Sequence, residues 1–197
     1  MQSKDLKLLV DEVRHAVYVA SLNFDIWWVF KGKDTRPKFT RTMNHYTLFF
    51  QTGIHAHFVA MLVALYRLYE KRPDTYNIPS LLRKVETSGA ISKAVLDEVT
   101  KTYALAKPLW IKVSILRNEA FGHRTVKGTV EQAFKKAGIS ANELRDLIGH
   151  TKKLINTISH AADRSVHAFN LDATETTVRL LEDLRAYGEI AREATAL

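Results

Sequence analysis

Leu6, Leu9, Val10, Val13, Val17, Ala20, Leu22, Phe24, Trp27 and Trp28 follow one another at spacings close to three and four, the period of one face of an α-helix. A stripe this wide has to be covered, because most of a helix's stability in water comes from packing its apolar face. The rest of the chain offers cover of the same kind. Val95, Leu96, Val99, Tyr103, Leu105, Ala106, Leu109, Trp110, Val113 and Leu116 keep the helical period, as do Leu144, Leu147, Ile148, Thr151, Leu154, Ile155, Ile158 and Ala162. No run alternates apolar with polar residues as a half-buried strand would. The pattern predicts an all-α fold, a bundle of four to five main helices with some short ones, forming a single domain over residues 1–197.

Punctuation sets the expected boundaries. Ser3 is placed to cap a first helix running to about Phe30, followed by a loop from Gly32 through Lys33–Pro37. A second helix is expected from Phe39 or Thr40 to Tyr69; it is apolar on most sides, which suits a central helix or a subunit interface. Ile78-Pro79-Ser80 opens a short helix stopped by Gly89, and Ser92 opens a long one in which Pro108 should cause a kink or a split. Thr129 with Gln132, and Ser140 with Glu143, have the spacing of capping boxes; their helices should end at Gly138 and near Ser165. Thr174 should cap a last helix reaching about residue 192, with Val178, Leu181, Leu184, Tyr187 and Ile190 on one face. Trp27, Trp28 and Phe30 read as core, since aromatic residues at helical spacing are more often packed than stacked on bases. Lys152 and Lys153 read as a solvated face.

Composition narrows the chemistry. The chain has no cysteine, which excludes thiolate metal sites and cysteine nucleophiles. His55 and His57 lie two apart on a helix and point away from each other, so no metal site is expected. There is no glycine-rich phosphate loop and no nucleophile elbow. No leader segment or membrane span is expected, which places the protein in the cytoplasm. The net charge of +8 favours a polyanionic partner, because Lys and Arg contacts to phosphate release counterions.

The candidate site is the run Ile115-Leu116-Arg117-Asn118-Glu119-Ala120-Phe121-Gly122-His123-Arg124. Gly122 is placed to cap the helix in the left-handed conformation. That stop would let the His123 imidazole fold back beside the Arg117 guanidinium, from which it would stand about 120° away on an unbroken helix. A fixed cation beside a group that titrates near neutrality can hold a phosphate and move a proton. The same residues can also do no more than cap a helix C-terminus, where cations are favoured.

Arg117, Asn118, four further residues and His123 resemble the R-x(4–6)-H signature of HEPN domains (higher eukaryote and prokaryote nucleotide-binding), in their abortive-infection, AbiU-like branch. The run from His57-Phe58-Val59-Ala60 through Leu65-Tyr66-Arg67-Leu68-Tyr69 to Ile78-Pro79-Ser80-Leu81-Leu82 resembles that branch as well, so the likeness spans roughly residues 5–165. It implies a helical bundle that works as a homodimer with the two motifs facing across the interface. It further implies a metal-independent RNase without a cofactor, in which the RNA 2′-hydroxyl attacks the adjacent phosphate. His123 would then transfer protons and Arg117 would meet the phosphate. Asn118 would orient the histidine or bind a phosphate oxygen, and Arg124 and Lys127 would contact RNA. A toxin or phage-defence role, with an antitoxin protein as a candidate partner, belongs to the same expectation. The alternative is a non-catalytic HEPN-like module that binds nucleotide, RNA or a protein. One departure stands out. Related toxins carry a modifiable tyrosine two positions after the histidine; this chain has Thr125.

Overall fold

The computed structural model describes residues 2–122 and 128–195. All regular structure among them is helical: α1 (Gln2–Lys31), α2 (Arg36–His45), α3 (Thr47–Tyr69), α4 (Ile78–Ser88), α5 (Lys93–Ile115), a π-helical continuation (Leu116–Gly122), α6 (Val130–Ala137), α7 (Ala141–Asp163) and α8 (Thr174–Thr195). Four long helices close a ring: α1 packs on α3, α3 on α5, α5 on α7, and α7 back on α1. Val13, Val17 and Ala20 of α1 meet Leu65 and Leu68 of α3 and Leu147 and Leu154 of α7 in one core, all with no exposed surface. Inside it, the Tyr69 hydroxyl donates to Thr151 Oγ1 at 2.6 Å, and Thr151 passes its own proton to the Leu147 carbonyl at 2.7 Å. A buried hydroxyl pair satisfied in this way avoids the desolvation cost of an unmade bond. Outside the ring, α8 docks on α2 and α1.

Several boundaries follow from caps. Both capping boxes form, on Thr129 with Gln132 and on Ser140 with Glu143. Gly89 and Gly138 end their helices at φ of 61° and 53°, where any Cβ would be strained. Other boundaries differ from the expectations. The helix α1 already includes Gln2, so Ser3 lies inside it. The stretch expected as one helix up to Tyr69 is two helices, α2 and α3, divided at Tyr46 (φ −116°, ψ 46°). The first of them begins inside the expected loop, because Pro37 fits a first helical turn. Asp172, rather than Thr174, caps α8, its carboxylate accepting the Thr174 amide at 2.6 Å. Pro108 does not split α5. Pro108 and Ala104, whose carbonyl loses its partner, are both exposed, so water can make the missing bond.

One further expectation needs correction. Lys152 is not on a solvated face: it is half-buried, donates to Ser21 Oγ at 2.8 Å, and burial pulls its pKa down. By length and composition alone α3 is apolar enough to cross a membrane, although a third of that span is buried against the bundle. Its outward face keeps Leu48, Phe49 and Val63 exposed.

Candidate functional site

The stripe of α5 ends at Leu116, which is fully buried. From there the backbone widens from α- to π-helical for seven residues, Leu116–Gly122. Such turns are rare and recur at functional sites. Gly122 is the last residue of that π-helical turn, a geometry the sequence does not announce. The segment is held between α3 and α6, with Ala120 buried and the Phe121 ring against Phe58 and Phe134 at 5.8 and 6.0 Å. These contacts hold the last turn before Gly122 against the bundle.

The π-segment lies along α3, with Arg117 opposite Tyr66 and Phe121 opposite His55 and Phe58. The Arg117 guanidinium sits over the Tyr66 ring, 4.6 Å from its centre. Tyr66 in turn stacks on Trp110 of α5 at 6.1 Å, and Trp110 Nε1 donates to the Tyr66 carbonyl at 3.1 Å. Arg117 Nη1 donates to Asn118 Oδ1 at 3.0 Å. A guanidinium over an aromatic face gains about 0.5–2 kcal/mol, depending on solvent access. Glu119 does not pair with Arg117; it forms an ion pair with Lys136 of α6. Among the described residues Arg117 has no carboxylate partner, and its side chain is half-exposed. The arginine is positioned by an aromatic ring and an amide.

Of the sequence-predicted site residues, Arg117 and Asn118 are thus brought together, with Asn118 holding the arginine. His123, Arg124 and Lys127 lie outside the described residues, as does Thr125.

The three histidines of α2 and α3 separate clearly. His57 hydrogen-bonds the Asn23 side chain at 2.8 Å and faces the Phe30 ring; burial lowers its pKa. His45 lines a groove between α2 and α8 with Lys38, Arg41 and Arg185, well away from the π-segment. His55 alone reaches the site, its ring 5.7 Å from that of Phe121. It stands at the mouth of a cavity of about 590 Å³ beside the π-segment. Tyr66, Trp110 and Phe58 carry no functional signal of their own in the sequence. They sit at ordinary stripe positions, and nothing local distinguishes them from core.

An all-helical bundle of this kind is consistent with a HEPN-like fold. The AbiU2 family model of HEPN domains matches residues 3–182, and the chain belongs to that family. It is in that sense an abortive-infection HEPN-type module. No match was found among curated proteins or among solved structures.

Proposed function

We propose that this chain is a metal-independent endoribonuclease of HEPN type, acting as a toxin or phage-defence effector. The observation that carries the reading is the state of Arg117: stacked on Tyr66, tied by Asn118, without a carboxylate partner among the described residues, on the turn that leads to His123. In the proposed reaction His123 withdraws the proton of an RNA 2′-hydroxyl. The 2′-oxygen bonds to the adjacent phosphorus, and the bond from phosphorus to the 5′-oxygen breaks. The leaving oxygen takes a proton, giving a 2′,3′-cyclic phosphate and a 5′-hydroxyl. Arg117 stabilises the charge on the phosphorane through its planar fork of donors. Arg124 and Lys127 are assigned to flanking phosphates. One chain brings one strong acid/base candidate to the motif, so two copies related by a two-fold axis would supply the pair that the reaction needs.

The test is incubation of the purified wild type and of His123→Ala with total RNA in EDTA, followed by end-group analysis. Cyclic-phosphate ends from the wild type alone are the expected result. No cleavage by either folded protein would instead favour a binding module, and equal cleavage by both would remove His123 from the mechanism.

A further inference from the structure

The cavity beside the π-segment has the walls of a stacking site. Trp27 of α1, Phe58 of α3, Phe121 of the π-segment and Phe134 of α6 come from four separate elements and meet there. Phe58 lies 5.2 Å from Trp27 and 5.9 Å from Phe134, the latter pair nearly parallel at 20°. Phe134 is 41% exposed. Phe134 packs on Phe58 and Phe121 and still leaves part of its ring open to the cavity.

The polar groups of the cavity are few, and they converge. Gln51 and His55 stand four apart on one face of α3, and Lys31 closes α1 across from them. All three are exposed at the rim. An apolar, aromatic pocket with a few convergent polar groups is the usual form of a ligand site, and its volume falls within the ordinary range. The three groups differ in what they offer. Gln51 presents a donor and an acceptor side by side, which suits the edge of a base. Lys31 supplies a mobile cation for a phosphate. His55 can donate or accept. A flat aromatic ligand with a hydrogen-bonding edge and a neighbouring anion matches all three.

The pocket also shares its wall with the proposed reaction centre. Ala120 and Phe121 line it and belong to the same turn as Arg117. Resting on the ribonuclease reading for its substrate class, we infer that this pocket takes one unpaired nucleobase of the RNA, next to the phosphate that is cut. Phe134 and Trp27 stack on the base, and Gln51 and His55 set which base is preferred.

The experiment has two arms. In the first, the His123→Ala chain is titrated with a fluorescent single-stranded hexaribonucleotide and with six strands that each lack one base. One of the six should bind roughly 5- to 150-fold more weakly, the range for losing one base–aromatic stack. Adding Phe134→Ala, or Phe134→Leu to retain bulk, should abolish that difference between strands. A flat series, or a penalty that ignores both Phe134 variants, overturns the pocket. A flat series would also be the outcome if the pocket receives a protein segment. In the second arm, RNA cut by the wild type, Gln51→Ala and His55→Ala is sequenced at its new ends. The base preference at one position beside the cut should relax, with overall cleavage changed only a few-fold. An unchanged preference in both variants overturns their specificity role. The pocket and the nuclease fail separately: a position-specific penalty without cleavage retires the enzyme, and cleavage with a flat series retires the pocket.

Discussion

The two ends of α1 treat histidine in opposite ways. At its start, His167 sits in a cavity of about 620 Å³ that Arg14, Asp11 and Ser159 also line. Arg14 Nη1 meets His167 Nδ1 at 3.2 Å, and its Nη2 meets Asp11 at 3.0 Å. A guanidinium only donates, so Nδ1 accepts and the proton resides on Nε2, which donates to Ser159 Oγ at 3.2 Å. Asn156 then grips the His167 backbone from both sides, its Nδ2 on the carbonyl at 3.0 Å and its Oδ1 on the amide at 2.8 Å. At the far end of α1, His55 leans on Phe121 and makes no hydrogen bond to another described residue; further along α3, on the same π-segment, Arg117 rests on Tyr66. The first end spends its polar groups on holding an extended segment against α1 and α7. The second surrounds its polar groups with aromatic surface. A histidine whose ring nitrogens are both engaged is a clamp, whereas His55, at the mouth of an aromatic pocket, keeps its ring open to solvent.

The comparison breaks most readily at the motif. Both Arg117→Ala and His123→Ala should lower RNA cleavage by roughly 10²–10⁴-fold with helical content unchanged, and Arg117→Ala, which also removes the contact with Tyr66, should lower the thermal midpoint by about 2–8 °C. An active double variant would erase the functional half of the contrast. The opposite result is expected at the clamp. Replacing Asn156 with Ala removes two bonds and leaves a backbone amide and carbonyl unpaired, which should cost about 1–3 kcal/mol in urea denaturation and leave cleavage intact. Full stability in Asn156→Ala would show that the clamp is ornamental. A smaller effect sharpens the role of the ring under Arg117. Tyr66→Leu should reduce cleavage by about 2- to 30-fold, corresponding to the roughly 0.5–2 kcal/mol of a cation over an aromatic face, and Tyr66→Phe should restore it. If Tyr66→Leu and Tyr66→Phe behave alike, the ring is only packing.

The smallest expected effect concerns pH. Burial lowers the pKa of His167, Arg14 lowers it further, and burial lowers that of His57. Each is held neutral in the folded protein more strongly than in the unfolded chain. Their stability contribution is therefore present above the ordinary value of about 6.5 and is lost as pH falls through the depressed folded value. Denaturation midpoints measured downward from pH 7 should fall, and His167→Asn should flatten part of that slope. A slope unchanged in His167→Asn would assign the acid sensitivity elsewhere.

Much of the bundle was legible because its signals are local. The stripe of α1, the two capping boxes and the left-handed glycines at Gly89 and Gly138 depend on residues within one or two turns of each other. The reading failed where distant residues compete with local ones. Tyr46 divides α2 from α3 although the apolar pattern runs through it, and α8 docking on α2 is invisible to that pattern. The π-helical widening of Leu116–Gly122 is likewise not a local signal, since Phe58 and Phe134 pack on that turn from other helices. Lys152 looks solvated and is half-buried, because Ser21 and Phe169 come to it from elsewhere in the chain.

By itself the sequence determined the helical class and the positions of most helix starts and stops. Periodicity and capping are properties of neighbouring residues, so they can be read in one dimension. Only the tertiary structure decided that Tyr66 lies beneath Arg117, that Glu119 pairs with Lys136, and that His55 rather than His57 or His45 stands beside the π-segment. Those outcomes depend on which faces of α3, α5 and α6 meet, and a helix surface offers many faces with the same period.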